Sequence, residues 1–321
     1  METRLQSVAG SRRGCRQPQR KPRVRSGVPE ADEARLALFA AACRGEDHLL
    51  KRKHGPDVPA GPAQPFKNVV VGVDNSPASL QALEWAHLLG RSGARITLAC
   101  VGSPPASGAA AEVFMEQVQD PKTVLAAAAA KLAARGVQAE TLALQGPPAL
   151  ELVWAMANRK ADLAIVGSHN HGRGEYEGLG GVSATLKKEA PCSILVARQA
   201  PSVYGIAAAT DGSRPARHAM AVAVSLARQW ELPLAVLHAR EKTLKDLKEK
   251  STLAPHPGLT VEGVPGPPHL GVLQALRSRG PHLLVIGGRG LSGGPLHSLG
   301  SVSDRLLSNS PGSVLVVKPR A

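Results

Sequence analysis

Aromatic residues are nearly missing from this sequence, whose 321 residues include only 3 Phe, 3 Trp and 2 Tyr. Without such side chains there are no flat platforms on which unpaired bases could stack, which argues against single-stranded nucleic-acid binding. The cores must instead be built from Val, Leu, Ile and Ala, because hydrophobic residues still make up 43% of the chain. A composition of this kind is typical of globular domains, and the length allows two of them.

Cysteine is scarce, and long apolar runs are absent. The four cysteines, Cys15, Cys43, Cys100 and Cys192, contain no Cys-x-x-Cys pair. Cys100 and Cys192 fall in predicted strands, so we expect them to be reduced core residues, which fits a cytoplasmic protein. No apolar run reaches about 18 residues, so no transmembrane helix and no membrane contact is expected. The N-terminus also lacks the apolar middle segment of a secretory signal.

Acidic residues are outnumbered by basic ones. The chain has 39 Lys+Arg against 25 Asp+Glu and a formal net charge of +14, and residues 1–65 contain 13 of the basic and 7 of the acidic residues. A basic surface can attract nucleic acid or anionic lipid. The interpretation that we favour is a soluble basic protein whose loops bind anionic ligands.

The first 65 residues differ from the rest in pattern. Residues 1–28 are rich in arginine with little to bury, which predicts disorder. They are interpreted as a solvated tail, and the alternatives are an organelle transit peptide, translated upstream sequence, or an arm that gives weak nucleic-acid binding. Residues 30–44 are compatible with an amphipathic helix. Residues 51–65 are rich in Pro and Gly and predict a linker.

From residue 66 onward, apolar strands alternate with helical patterns. Among the strands are residues 68–73, 163–167 and 193–197, and their continuous apolar character is typical of a buried parallel sheet. Strand and helix in alternation predict βαβ units and therefore an α/β fold. The same order repeats from residue 204 to the end, so two copies of one unit are the simplest account.

A glycine-rich stretch follows the fourth strand of the second copy. The apolar run 283–286 leads into Gly287, Gly288 and Gly290, and Gly300-Ser301 precedes a helical pattern. A strand that feeds a glycine loop and then a helix N-terminus predicts an anion site, because amides and the helix dipole both point at the ligand. Glycine after a strand is also common in plain turns.

The spacing of Gly287, Gly290 and the Gly300-Ser301 pair resembles the nucleotide loop of the universal stress protein family. Asp211 follows the first strand of the same half, where that family places its nucleoside contact. By itself, Asp211 with Ser213 is more typical of a turn followed by a helix cap. Together with the loop, it indicates that the chain is similar to a tandem, two-domain member of this family.

The resemblance implies an architecture. It implies two doubly wound, Rossmann-like domains, at residues 66–200 and 201–321, each a five-stranded parallel sheet with helices on both faces. In this family the last strands of two subunits pair, so the resemblance also implies an intrachain pseudo-dimer or a homodimer. Residues 193–197 and 313–318 are the strands that would pair within one chain.

The resemblance also implies an adenine nucleotide, ATP, accompanied by magnesium that bridges its phosphates. Asp211 would hold the nucleoside, and Arg289 would pair with phosphate. The residues implied around the ribose and phosphates are Gly287, Arg289, Gly290, Gly300, Ser301, Val302 and Ser303. No dedicated protein cage for magnesium is visible in the sequence.

The first copy departs from this pattern. Gly167 and Gly180 keep the 13-residue spacing of Gly287 and Gly300, but Asn170 stands at the position of Gly290. The serine that follows the last glycine is replaced as well, by Gly181. We therefore expect one nucleotide per chain, bound by the second half.

Other functional classes were weighed against this one. No nucleophile, base and orienting group can be assembled, and no GxxxxGK[ST] loop is present, so at most slow ATP hydrolysis is expected. One alternative is a tandem scaffold that binds protein partners and no nucleotide. Another is an adenine-nucleotide-dependent enzyme, for which Asp304 is the only acidic residue near the loop. His169 and His171 lack a third and fourth metal ligand, so no metal site is predicted.

Overall fold

The structure is a computed structural model that describes residues 64–102, 120–168, 179–201, 205–238, 258–280, 283–288 and 299–318. Within these ranges strands and helices alternate as predicted. The strands are β1 (Asn68–Gly72), β2 (Arg95–Gly102), β3 (Ala139–Gln145), β4 (Leu163–Gly167), β5 (Ser193–Ala197), β6 (Ile206–Thr210), β7 (Leu234–His238), β8 (Leu259–Gly263), β9 (Leu283–Gly287) and β10 (Val314–Val317). The helices are α1 (Pro77–Arg91), α2 (Pro121–Ala133), α3 (Pro148–Asn158), α4 (Gly181–Glu189), α5 (Arg214–Gln229), α6 (Pro268–Arg279) and α7 (Ser301–Asn309).

All of these strands form one sheet, in the order β3-β2-β1-β4-β5-β10-β9-β6-β7-β8. Neighbouring strands within each half are parallel, whereas β5 and β10 pair antiparallel, with Leu195 opposite Leu315. The predicted doubly wound α/β fold is thus confirmed, and the last strand of each half covers an edge that the other would expose. The domain boundaries at residues 200 and 201 stay a prediction. The helix predicted over 30–44 lies outside the described residues, and so does the short charged helix that the sequence of residues 241–250 predicts.

Two apolar cores lie on opposite faces of the sheet. Because successive strand residues point to opposite faces, Val69 and Val71 of β1 enter one core and Val70 enters the other. Helices α1, α2 and α5 pack on the first core, and α3, α4, α6 and α7 on the second. No helix in the described ranges is both long and apolar enough to cross a bilayer.

The few aromatic residues of the first core join the two halves. The rings of Trp85 on α1 and Trp230 after α5 lie with centroids 6.0 Å apart and tilted by 49°. The indole of Trp85 also donates to the carbonyl of Gln199 at 2.8 Å. Aromatic pairs of this kind contribute beyond the area that they bury, so this contact ties α1 to the second half.

A reciprocal set of polar contacts surrounds the β5–β10 pair. The amide of Arg198 donates to the hydroxyl of Ser313 at 3.1 Å, and the amide of Lys318 donates to the hydroxyl of Ser193 at 3.1 Å. The Arg198 guanidinium donates to the Leu307 carbonyl at 2.6 Å. In the same way, the Lys318 ammonium donates to the carbonyl of Ala190, the residue that caps the C-terminus of α4, at 2.6 Å. A cation from each half thereby satisfies carbonyls at the C-terminus of the other half's last helix.

Candidate functional site

The carboxyl ends of β6 and β9 lie side by side in the second half. These strands pair in parallel, with Ala208 opposite Val285. Asp211, just after β6, and Gly287, the last residue of β9, therefore come out at the same edge of the sheet. This edge is where doubly wound sheets bind their ligands. Two of the residues singled out from the sequence, 76 positions apart along the chain, are thus brought together.

Glycine at Gly287 is required by packing. A Cβ at this position would lie 2.8 Å from the carbonyl carbon of Pro215 and 2.9 Å from the amide nitrogen of Ala216, because the first turn of α5 crosses the strand end here. Gly167 meets α1 in the same way, since its Cβ would lie 2.7 Å from that of Ala78. The glycine that ends each strand is therefore explained by the fold, and it is not by itself a sign of a ligand.

The N-terminus of α7 presents three amides at this edge. The Gly300 amide donates to the Gly288 carbonyl at 3.1 Å, and the first intrahelical bond runs from the Asp304 amide to the Gly300 carbonyl at 2.9 Å. The amides of residues 301–303 precede that bond and have no intrahelical acceptor. Gly300 has φ −64° and ψ 150°, which any residue adopts, so the backbone conformation alone does not require glycine there. This is the geometry of an anion site.

The hydroxyl of Ser303 makes a structural hydrogen bond to the end of β9. It is buried and donates to the carbonyl of Gly287 at 2.8 Å. Ser183 makes the same bond to Gly167 in the first half, at 2.7 Å. The hydroxyl of Ser303 therefore joins α7 to the end of β9 and is engaged within the protein. Ser301 and Val302 are exposed at the helix start.

Two basic residues that sequence reasoning missed stand at the start of α5. Arg214 and Arg217 are exposed, and Arg217 donates to the carbonyl of Gly212 at 2.5 Å, next to Asp211. The sequence contained a signal that could have identified these two arginines, since both lie within six residues of Asp211. Arg289 and Gly290 lie outside the described residues, so their predicted contacts with phosphate stay predictions.

Asp304, the acidic residue nearest to the loop in sequence, is paired with a cation. Its carboxylate lies 2.6 Å from the ammonium of Lys187, which comes from α4 of the first half. An acid in the first turn also interacts favourably with the helix dipole. In the part of the chain that the structure describes, no three His, Cys, Asp or Glu side chains come together as metal ligands.

The first half has an open cleft at the matching edge. Its volume is about 250 Å³. The cleft is lined by Gly72, Val73, Asp74, Ser76, Ala99, Val101, Pro148, Leu152, Val166, Gly167, Gly180, Val182 and Ser183. The sequence directed attention to the second half, whereas this cleft lies in the half whose phosphate loop is degenerate. Asn170 itself lies outside the described residues.

The cysteines of the described ranges play no reactive part. Cys100 and Cys192 are both buried and unpaired. Burial, together with the charges of Asp74 and Asp120, raises the pKa of Cys100 to about 11. Burial raises the pKa of Cys192 to about 12. Because the thiolate is the reactive form, both thiols are inert core residues, as predicted.

The comparisons with known proteins agree with this architecture. The model of the universal stress protein family matches residues 65–198 and again residues 205–318. The universal stress protein YxiE of Bacillus subtilis (strain 168) is 27% identical over 147 residues, which cover 41% of this chain and 99% of YxiE.

Solved structures extend the likeness to both halves. A universal stress protein from Archaeoglobus fulgidus DSM 4304 has a TM-score of 0.61 and 21% identity, over 79% of this chain and 98% of its own. A universal stress protein crystallised in complex with cAMP is 27% identical over 42% of this chain and 99% of its own, with a TM-score of 0.35. This chain belongs to the universal stress protein family and contains two copies of the family's domain in tandem.

Proposed function

We propose that this protein binds ATP in its second half and acts as a nucleotide-binding regulatory protein of the stress response. The observation that carries the proposal is the meeting of the β9 end with the N-terminus of α7. There the amides of residues 301–303 point to the edge of the sheet at which Asp211 emerges. This arrangement provides a phosphate site and a nucleoside contact at one edge.

The charges around the edge favour a phosphorylated ligand. The helix N-terminus contributes the equivalent of roughly half a positive charge. Arg214 and Arg217 add two exposed guanidinium groups beside it, and Arg289 would add a third from the loop. Lys187 neutralises the carboxylate of Asp304, so that acid does not repel phosphate. Guanidinium groups are well suited to phosphate oxygens, since they can donate two parallel hydrogen bonds.

The ribose and the phosphates each have a partner in this proposal. The carboxylate of Asp211 accepts from hydroxyl groups of the ribose, and the amides of α7 donate to the phosphates. Magnesium would accompany the nucleotide and would offset part of its phosphate charge, as this ion commonly does. Because Asp304 is already paired with Lys187, we propose that it does not act as a catalytic acid or base and that hydrolysis is at most slow.

A protein scaffold is the second candidate, and one surface favours it. Leu150 and Trp154 lie four residues apart on α3 and are 58% and 53% exposed. Leu270, at the matching position of α6, is 55% exposed. Neighbouring exposed apolar side chains of this size are typical of binding surfaces. A scaffold of this kind would bind protein partners whether or not nucleotide is present.

A matched pair of variants tests the nucleotide proposal by calorimetric titration of the full chain with ATP. Gly300→Val places a side chain at the α7 N-terminus, and Gly180→Val makes the same change at α4, where the backbone has nearly the same φ and ψ. We expect one ATP per chain, lost in Gly300→Val and retained in Gly180→Val. Loss of ATP binding in Gly180→Val but not in Gly300→Val would place the nucleotide in the first half and contradict the proposal. If the unmodified protein gives no heat with ATP and releases no nucleotide in mass spectrometry, the nucleotide proposal is wrong and the scaffold proposal remains.

A further inference from the structure

A polar cleft lies at the amino ends of the first-half strands, at the edge of the sheet opposite to the candidate nucleotide edge. It has a volume of about 240 Å³ and adjoins the C-terminal end of α3. Thr97 stands between Ile96 and Leu98, which enter the first core, so it faces the side of the sheet on which α3 packs. The polar and charged residues of the lining include Asn68, Arg95, Thr97, Glu140, Arg159 and Lys160.

Two neighbouring strands carry polar side chains here, at positions where the second half has none. The strand registers align the halves, since Val69 pairs with Ile96 and Ile206 pairs with Leu234. The fold itself does not require polar residues at these positions, because the second half forms the same pair of strands without them. The positions are Asn68, Arg95 and Thr97, which correspond in that order to Gly205, Pro233 and Ala235.

Hydrogen bonds orient the side chain of Arg95 at this cleft. Its Nε donates to the Oδ1 of Asn68 at 3.0 Å, and the Nδ2 of Asn68 donates to the carbonyl of Lys160 at 3.2 Å. One amide side chain thus joins the guanidinium on β2 to the backbone just after α3. A guanidinium has five N–H donors, so its two Nη atoms carry four more. A guanidinium oriented in advance is well suited to an oxyanion, to which it can donate two parallel hydrogen bonds.

Lys160 has a backbone conformation that favours glycine. Its φ is +47°, in the left-handed region. Because Leu163 and Leu283 begin β4 and β9, the residue that corresponds to Lys160 is Gly280, whose φ is +87°. Glycine would therefore be the less strained residue at both positions. A lysine in such a conformation is a local cost that a use of its ammonium group would explain.

The charged groups of the cleft favour an anion. Arg95, Arg159 and Lys160 bring three positive charges to the lining, against the negative charge of Glu140. The Glu140 carboxylate lies 2.9 Å from the Arg159 guanidinium, so these two charges offset one another. Beside the cleft, the Asp162 carboxylate accepts from the first amide of β1 at 3.1 Å and is engaged there. A concave site with an excess of one sign of charge concentrates ions of the opposite sign.

We propose that this cleft binds a small oxyanion of the phosphate class. The Nη atoms of Arg95 donate to its oxygens, and Lys160 supplies a second cation. The hydroxyl of Thr97, a residue only 8% exposed, adds a donor from the strand. The cleft is smaller than the roughly 300 Å³ at which pockets for drug-sized ligands begin, so a phosphate group fits it better than a nucleotide. The phosphate group belongs either to the free ion or to a small phosphate ester.

The test is a calorimetric titration of the full chain with inorganic phosphate at low salt. It is made in the Gly300→Val background, so that the proposed phosphate site of the second half does not contribute. We expect millimolar binding that weakens about tenfold in Arg95→Gln. Arg277→Gln removes an exposed arginine from α6 and is the matched control, with a change of less than about twofold.

A variant of opposite sign separates binding from a structural role. Glu140→Gln removes an acid that repels the anion and releases Arg159, so phosphate should bind about threefold more tightly. Glycerol 3-phosphate, titrated in the same way, distinguishes the sources. Tighter binding than that of inorganic phosphate assigns an ester, weaker binding assigns the free ion, and both results support the site.

Three results would overturn the proposal: no phosphate binding, equal affinities in folded Arg95→Gln and Arg277→Gln, or weaker binding in Glu140→Gln. Folding of each variant is checked by its melting temperature. The proposed function fails by a different result, the absence of ATP binding that depends on Gly300, so the two failures are told apart.

Discussion

The ammonium of Lys187 lies 2.6 Å from a carboxylate oxygen of Asp304, so an ion pair joins the last helix of the first half to the last helix of the second. The side chains are 19% and 42% exposed. Solvent therefore screens the pair, and its contribution to stability is expected to be about 1 kcal/mol or less. Its larger consequence is local, because it neutralises an acid one turn from the proposed phosphate site.

Removal of Lys187 is expected to weaken ATP binding without much loss of stability. In Lys187→Ala the Asp304 carboxylate is left unneutralised beside the phosphates, and we expect about a threefold weaker affinity at low salt. The double variant Lys187→Ala/Asp304→Asn should recover the affinity, because the repelling charge is then gone. Lys188→Ala, on the exposed side of the same helix, is the control. Equal losses in Lys187→Ala and Lys188→Ala would contradict a specific role for the pair.

Replacement of Gly287 is expected to lower the stability of the fold. Its Cβ would lie 2.8 Å from the Pro215 carbonyl carbon, and backbone cannot move aside cheaply, so Gly287→Ala should lower the free energy of unfolding by about 1–3 kcal/mol. At Gly288 the nearest atom, the carbonyl oxygen of Val317, would lie 3.6 Å away, and Gly288→Ala should cost little. Urea unfolding measures both. A Gly287→Ala protein as stable as the unmodified chain would show that helix α5 does not fix this glycine.

Separation of the halves is expected to expose an unpaired, aggregation-prone strand edge. Residues 66–200 expressed alone would present β5 with its apolar residues and unpaired backbone groups, because β10 no longer covers it. We expect this fragment to self-associate and to bind residues 201–321 when the two are mixed. Size-exclusion chromatography with light scattering measures both properties. A soluble monomer without affinity for the other half would argue against the strand pair as the main junction.

Stability is expected to fall as the pH drops, through His87. This histidine is buried, and burial, followed by the charge of Arg135, lowers its pKa below the usual 6.5. The unfolded chain binds the proton more readily than the folded chain does. The free energy of unfolding should therefore reach its highest value, as far as His87 is concerned, above about pH 6.5 and should decline as the pH falls below it. His87→Gln should be less stable at pH 7.5 and should show a smaller decline toward pH 5. If the free energy of unfolding declines equally in the unmodified protein and in His87→Gln, His87 is not the cause of the decline.

Local pattern in the sequence was enough to predict most of the secondary structure. The strands Leu163–Gly167, Ser193–Ala197 and Leu283–Gly287 have the predicted bounds, because each contains an uninterrupted run of four apolar residues. Ser76 followed by Pro77 predicts a helix N-cap, and the cap is confirmed, since the Ser76 hydroxyl accepts from the amide of Ser79 at 3.0 Å. Such signals depend on neighbours along the chain, which a sequence displays directly.

Some boundaries shifted where backbone bonds compete. The apolar pattern of residues 137–144 predicts a strand that begins at Val137, yet β3 begins at Ala139. The amide of Val137 donates to the carbonyl of Leu132 at 3.0 Å, just after Gly136 with φ +78°. Val137 is therefore held at the end of α2, and the sheet ladder starts two residues later. Apolar character alone could not distinguish these two uses of one residue.

Spacing and residue type along the chain are enough to predict the repeated α/β unit, the caps, and the glycine loop with Asp211, and the family resemblance added the pairing of the two last strands. The three-dimensional arrangement is needed to show that this pair forms within the chain, that Lys187 reaches Asp304, and that the Ser303 hydroxyl is turned toward Gly287. It also decided that Ala99 and Gly72 meet in one cavity of the first half. These features depend on residues brought together from distant parts of the chain or on the direction of one side chain, and neither is set by local periodicity.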